Sequence, residues 1–168
     1  MQDELALQSQ RKAVAAIESG AFEAEIVPVS VSSRKKTIIF DRDEFPKADS
    51  TAEGLAALRP AFDKAGTVTA GNACPLNDGA AALVIMSDEK AKALGLTPLA
   101  RIVSTGVSGL SPEIMGLGPI EAVKQALGRA NMAIGDVDLY EINEAFAVQV
   151  LGSARALGMD EDRLNVSG

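Results

Sequence analysis

The stretch that decides the fold spans residues 137–147 and reads VDLYEINEAFA. Up to Ile142 its side chains alternate between two faces, which is typical of a short β-strand. From Glu144 onward apolar residues recur at helical spacing until Gly158, a residue suited to the left-handed position that ends a helix. The pattern therefore predicts that Asn143 lies where a strand is followed by a helix.

Asn143 has two interpretations at this junction. In an open α/β sheet the ligand crevice lies beyond the carboxyl ends of the strands, so a polar side chain here is well placed for a functional site. Asparagine is also a preferred N-cap residue, because its side chain accepts a hydrogen bond from a first-turn amide. Periodicity alone favours capping and leaves the functional role open.

The composition is that of a chain with a small-residue core. Its 168 residues are enough for one ordinary domain. Apolar residues make up 47 %, but aromatic residues make up only 4 % and Trp is absent. We therefore expect tightly packed layers of helix and sheet built from Ala, Val, Leu and Gly.

The net charge, the absence of His and the single Cys argue against several classes of function. A net charge of −7 argues against a nucleic-acid partner, since phosphates are held by clustered Lys and Arg. The absence of His argues against a metal centre or a self-contained catalytic triad. Cys74 is the only Cys, so no internal disulfide forms and a reducing, cytoplasmic location is expected. No apolar run approaches the ~20 residues that a membrane helix needs, so no membrane partner is expected.

Helical and strand-like segments alternate along the chain. Cap and stop residues predict helices at 2–19, 52–58, 88–94, 119–130 and 144–157. The second of these follows an apparent capping box that begins at Ser50. Apolar and β-branched runs predict a hairpin of 25–31 with 37–40, then strands at 67–70, 82–86, 99–105 and 137–142. This order predicts an α/β layered fold with much parallel sheet.

Four short motifs, taken together, carry a family resemblance. They are LRPAF at 58–62, GTVTAGNA at 66–73 continuing to NDGAA at 77–81, MGLGP at 115–119, and NEAFA at 143–147. In this order and spacing they resemble the thiolase family, which comprises the acetyl-CoA C-acetyltransferases and the 3-ketoacyl-CoA thiolases. The resemblance extends over nearly the whole chain.

The resemblance implies a division of the chain into three parts of a thiolase-like layered α/β fold. Residues 1–66 resemble the second part of the loop domain that is inserted in the first half of a thiolase. Residues 67–97 resemble the end of the N-terminal half, and residues 98–168 the start of the C-terminal half. We therefore expect the chain to be an internal piece of a longer enzyme.

The resemblance also implies an activity, the reversible condensation and thiolysis of acetyl-CoA and 3-oxoacyl-CoA through an enzyme thioester. Thiolases use a nucleophilic Cys, a second Cys that moves the α-proton, and a His in a Gly-His-Pro motif. All three are expected outside these 168 residues, so the piece alone is expected to be inactive. No cofactor is expected beyond the coenzyme A thioester substrate, and the full-length protein is expected to be a homodimer or homotetramer. A non-catalytic coenzyme A or acyl-CoA binding protein, or a structural segment, remains an alternative.

The resemblance assigns roles to nine residues. Asn143 is the catalytic one and holds a water that, with the His, forms an oxyanion hole for the developing enolate. The expected coenzyme A contacts are Lys47 along the nucleotide, Phe62 near the adenine, Ala70, Cys74 and Leu76 along the pantetheine, Met115 near the acyl group, and Ala145 and Phe146 beside Asn143. Cys74 is interpreted as a pantetheine contact and not as the nucleophile, because no His is present to activate it. Taken alone, the apolar members are typical core residues and Lys47 a typical solvated charge.

Overall fold

The structure is a computed structural model that describes residues 1–34 and 36–168. Its α-helices are α1 (Gln2–Glu18), α2 (Ala52–Ala56), α3 (Asp88–Ala93), α4 (Gly118–Ala130) and α5 (Ala147–Leu157). Its strands are β1 (Val29–Ser32) and β2 (Thr37–Phe40), and short 3₁₀ helices lie at Pro112–Leu117, Ile134–Asp136 and Glu161–Arg163. Within the described residues, no helix is both long and apolar enough to cross a membrane.

The helix ends follow the cap and stop residues closely. The left-handed backbone at Gly95 and Gly158, with φ of 64° and 68°, ends α3 and α5 as predicted. At the start of α3 the Ser87 side chain accepts a hydrogen bond from the Lys90 amide. The cap of α2 is Thr51 and not Ser50, since the Thr51 hydroxyl accepts the bond from the third residue of the helix. The predicted capping box is therefore wrong, because the third residue of α2 is Gly54, which has no side chain to bond the Thr51 amide in return.

The predicted hairpin is present. Strands β1 and β2 are antiparallel, with Val29 opposite Phe40 and Ser32 opposite Thr37. The first strand begins at Val29 and not at residue 25, because Pro28 has no N–H to donate to a ladder. The hairpin thus begins directly after this proline.

The predicted parallel sheet is wrong for the described residues. Segments 82–86 and 99–105 form no strand, and segments 67–70 and 137–142 make only isolated bridges, Pro60 with Thr69 and Tyr140 with Leu164. A strand is stable only where a neighbour offers a complementary row of N–H and C=O groups. Among the described residues, only β1 and β2 supply such a row to each other.

Two small apolar clusters hold α1 against the rest of the chain. One contains Tyr140, Val150, Ala154 and Leu164, with Leu5 of α1 packed against it. The other joins α1 to α2 through Ala6, Leu7 and Leu55. The first cluster fixes residues 140–150, the region that contains the strand-to-helix junction, next to α1.

Candidate active site

Two of the sequence motifs, 66–73 and 143–147, meet in space. The Cys74 amide donates a hydrogen bond of 3.0 Å to the Ala145 carbonyl, and the Ala147 amide donates one of 2.9 Å to the Asn72 carbonyl. Ala73 and Phe146 form an antiparallel bridge between these bonds. The small residues of the first motif allow this close approach of two backbones.

A groove of about 460 Å³ lies beside this junction. Its walls come from α1, from residues 71–75, from residues 141–144 and from Asn165. Both Cys74 and Asn143 line it. The volume lies within the range of small-molecule sites, roughly 300–1,000 Å³.

Asn143 does not cap α5. The helix begins at Ala147 with Phe146 as its N-cap residue, and no side chain makes a capping bond there. Within residues 1–34 and 36–168, the Asn143 side chain has no hydrogen-bond partner, and the residue is exposed on the groove wall. The capping interpretation is therefore wrong, and the carboxamide is free to bind a ligand or a water.

Asn165 is bonded to the residues on both sides of Asn143, to the Ile142 backbone and to the Glu144 side chain. Its Oδ1 accepts a bond of 2.8 Å from the Ile142 amide, and its Nδ2 donates bonds of 2.8 Å to the Ile142 carbonyl and 2.7 Å to a Glu144 carboxylate oxygen. The residue is only 4 % exposed and has a left-handed backbone with φ of 46°. The sequence does not predict this role, because its only local signal is that Asn tolerates positive φ better than most residues.

Asn72 organises the other half of the junction. Its Nδ2 donates to Asp3 of α1 at 2.8 Å and to the Thr67 carbonyl at 3.1 Å, while its Oδ1 accepts from the Thr69 amide at 2.9 Å. Asn72 is buried, so without these partners its carboxamide oxygen and nitrogen would be unpaired away from water. Asn72 thus bonds the loop that contains Cys74 to the first turn of α1.

Comparison with known proteins identifies the family. The model of the thiolase N-terminal domain matches residues 1–89, and that of the thiolase C-terminal domain matches residues 96–168. The chain belongs to the thiolase family. It is 64 % identical over 168 residues to the acetyl-CoA acetyltransferase of Escherichia coli (strain K12), which it matches over 100 % of its own length and 43 % of that protein's. A probable acetyl-CoA acyltransferase of Staphylococcus epidermidis is 52 % identical with the same 43 % share.

Solved structures confirm the thiolase-like fold. The acetyl-CoA acetyltransferase of Bacillus anthracis matches with a TM-score of 0.97 and 53 % identity, and human mitochondrial 3-ketoacyl-CoA thiolase with 0.94 and 45 %. Each match covers 99 % of this chain and 42 % of the solved chain. The chain thus spans less than half the length of these thiolases and has the fold of the corresponding part.

The two aromatic residues expected from the thiolase resemblance lie in contact. The rings of Phe62 and Phe146 pack edge to face, with centroids 6.1 Å apart and an interplanar angle of 70°. Phe62 is nevertheless 78 % exposed. An aromatic ring held at a surface by a second ring leaves apolar area available to a ligand.

The other expected coenzyme A contacts lie outside the groove lining. Leu76 and Met115 are exposed, so the interpretation of these side chains as plain core residues is wrong, as it is for Phe62. Ala70 is exposed just before the loop that does line the groove. The structure therefore places Cys74 and Asn143 in the groove and Ala145 and Phe146 in direct backbone contact with its wall. Ala70, Leu76 and Met115 are not among the residues that line it.

Lys47 lies at the rim of the groove. Its amide donates to the Gln10 side chain of α1 at 2.7 Å, and its ammonium lies 5.7 Å from the centroid of the Phe45 ring. Gln10, Phe45 and Pro46 are all part of the groove lining. The ammonium is exposed, so its charge is available to an anionic ligand near this end of the groove.

Proposed function

We propose that the full-length protein containing this chain is an acetyl-CoA C-acyltransferase of the thiolase type. The observation that carries the proposal is the unpartnered Asn143 carboxamide on the wall of a groove that Cys74 also lines. The thiolase family models, which match most of the chain, support the reaction class. The names of two relatives, acetyl-CoA acetyltransferase and probable acetyl-CoA acyltransferase, support acetyl-CoA as a substrate. The name of the human 3-ketoacyl-CoA thiolase supports 3-oxoacyl-CoA.

The proposed condensation has two balanced steps. One acetyl-CoA transfers its acetyl group to an enzyme thiol and releases coenzyme A. A second acetyl-CoA gives up an α-proton to a base, and its α-carbon attacks the enzyme-bound acetyl carbon while the enzyme thiolate leaves. Two molecules of acetyl-CoA thereby give acetoacetyl-CoA and one coenzyme A. Thiolysis is the reverse.

Asn143 acts in the second step. Removing the α-proton places negative charge on the thioester oxygen, and a water held by the Asn143 carboxamide donates a hydrogen bond to that oxygen. A carboxamide suits this role because it stays neutral at every working pH and does not compete for the proton. Removing one donor of an oxyanion hole typically costs ~10²–10³ in turnover.

The remaining assignments concern the coenzyme A path. Ala70, Cys74 and Leu76 contact the pantetheine, and the Cys74–Ala145 backbone bond, which ties this loop to the Asn143 segment, supports that arrangement. The nucleotide end is contacted by Lys47 and Phe62, supported by the exposed charge at the rim and the exposed ring. Met115 lies near the acyl group, and Ala145 and Phe146 line the pocket beside Asn143, an arrangement that the bridge between Ala73 and Phe146 supports.

The organisation of the full-length protein follows the same reasoning. Residues 1–66 belong to the loop domain, 67–97 to the N-terminal half and 98–168 to the C-terminal half, and the step from one family model to the next between residues 89 and 96 supports the second boundary. The protein works in the cytoplasm as a homodimer or homotetramer and needs no cofactor beyond its coenzyme A substrates. Within these 168 residues, the low Cys content supports the location, and the net charge of −7 supports the absence of a nucleic-acid partner.

A thiolysis assay on the full-length protein tests the proposal. Purified enzyme is mixed with acetoacetyl-CoA and coenzyme A, and the loss of acetoacetyl-CoA absorbance is followed. The Asn143→Ala variant should lower kcat by roughly 10²–10³ while coenzyme A binding, measured by calorimetry, changes little. Asn131→Ala, at an exposed residue after α4, is the matched control and should retain the wild-type kcat.

Two results would contradict the proposal in different ways. Wild-type protein that binds coenzyme A without turnover would favour the non-catalytic binding protein. Unchanged turnover in Asn143→Ala would keep the enzyme but remove this residue from its mechanism.

A further inference from the structure

One buried side chain controls the segment that presents Asn143. The Asn165 carboxamide pairs with both polar groups of the Ile142 backbone, accepting from its N–H and donating to its C=O. The same Nδ2 donates to Glu144 on the other side of Asn143. The residues immediately before and after Asn143 are therefore both bonded to one rigid side chain.

We propose that Asn165 is a positioning residue that sets the orientation of Asn143, an inference that rests on the proposed function. Asn165 borders the groove, but it is only 4 % exposed and both polar atoms of its carboxamide are bonded to Ile142 or Glu144, so it acts through these two residues and not by contact with the thioester. A catalytic water is useful only if the group that holds it is placed accurately, because a misplacement of about 1 Å can cost up to about 100-fold in rate. The three bonds of Asn165 supply that placement.

The chemistry of the site explains why an asparagine is present. The Ile142 amide needs an acceptor, whereas the Ile142 carbonyl and the Glu144 carboxylate need a donor, and a carboxamide carries both. The left-handed backbone, with φ of 46°, further limits the residue types that fit without strain. Asp keeps the shape and tolerates this backbone, but it replaces the donor with a second acceptor.

The Asn165→Asp variant therefore has a defined electrostatic consequence. It places a carboxylate where a nitrogen now lies 2.7 Å from a Glu144 oxygen. While both carboxylates are ionised they repel each other at that distance, so the bond is lost at neutral pH; it returns when falling pH adds one proton that the pair shares. The other charged groups facing this site are Glu141 on the groove wall and the Lys12 ammonium, which donates to the Leu164 and Asn165 carbonyls at 3.1 Å.

The test uses steady-state kinetics of the full-length enzyme over a range of pH. Asn165→Asp should lower kcat by about 10-fold to 100-fold at neutral pH with little change in KM, and part of the loss should be recovered at lower pH. Adding Glu144→Gln should raise kcat again at neutral pH, because the introduced amide donates to the introduced carboxylate. Asn131→Asp makes the same chemical change at the other left-handed asparagine, with φ of 56°, and should leave kcat and its pH profile unchanged.

Three outcomes would overturn the inference. The first is a kcat for Asn165→Asp equal to that of wild type. The second is a loss that is independent of pH and not rescued by the second substitution, which would indicate a structural role only. If thermal unfolding shows that Asn165→Asp does not fold, the Glu144→Ala variant is measured instead. It removes one of the three bonds and should lower kcat by a smaller factor at unchanged KM. An unchanged kcat in Glu144→Ala would be the third outcome that overturns the inference. Inactive wild-type enzyme would contradict the proposed function itself, whereas active wild type with an indifferent Asn165 variant contradicts this inference alone.

Discussion

Residues 82–86 and 99–103 present apolar side chains to solvent, and this exposure predicts the behaviour of the 168-residue chain by itself. Leu83 is 87 % exposed and Leu99 fully exposed. The chain has 12667 Å² of accessible surface, whereas a folded monomer of its 17.4 kDa mass exposes about 7,900 Å². The excess of about 4,800 Å² equals the area that a large obligate interface buries. We therefore expect the isolated chain to associate and to bind hydrophobic dye.

The exposed apolar surface is reduced by the double substitution of Leu83→Asp and Ile85→Asp. Because both side chains are mostly exposed, the pair should change the free energy of unfolding by less than about 0.5 kcal/mol per site. Dye fluorescence and the sedimenting mass should both fall. Unfolding is followed through Tyr140, which is the only Tyr of a chain without Trp and is buried in the larger cluster.

The control pair is Thr97→Asp and Gln125→Asp, which adds the same charge at exposed polar positions. It should leave dye binding and mass close to those of the unmodified chain. A monodisperse, sharply melting monomer that binds no dye before any substitution would refute the reasoning, and so would an equal effect of the two pairs.

Three further predictions concern activity, packing and pH. The isolated chain should not cleave acetoacetyl-CoA, because it has no His to activate its only thiol; measurable coenzyme A-dependent loss of absorbance would contradict this. Gly106→Ala should cost about 3 kcal/mol or more in thermal unfolding, since the new Cβ would overlap the Ala122 backbone of α4, whereas Gly109→Ala meets no atom within 4 Å and should be nearly neutral. The Glu89 backbone amide and the Ser87 hydroxyl lower the pKa of Glu89 below its usual 4.5. Its contribution to stability is therefore present above the unfolded-state pKa and is lost as pH falls through the lowered value. An NMR titration should show that Ser87→Ala raises this pKa, and an unchanged midpoint would count against the hydroxyl's role.

Local sequence determined the helices, because the interactions that define them lie within a few residues. The Ser87 cap, the left-handed glycines at 95 and 158 and the proline near the start of α4 all act on their own turns. The four motifs between residues 58 and 147 carried the thiolase resemblance through their order and spacing, and the last of them contains the residue with catalytic potential, Asn143. The helix ends needed only neighbours along the chain, and the resemblance needed only the sequence.

The tertiary structure decided everything that depends on distant partners. The runs at 82–86 and 99–105 have strand composition, but a strand forms only when another segment pairs with it, and the described residues offer none to these runs. Asparagine is a residue type that often caps helices. In the structure, however, Phe146 pairs with Ala73, α5 begins only at Ala147, and the Asn143 carboxamide is left unpaired. The Asn165 clamp joins residues 23 positions apart, and no periodicity along the chain encodes such a contact. The sequence thus indicated which residue has catalytic potential, and only tertiary packing decided that the Asn143 side chain is unpaired and that the residues before and after it are bonded to Asn165.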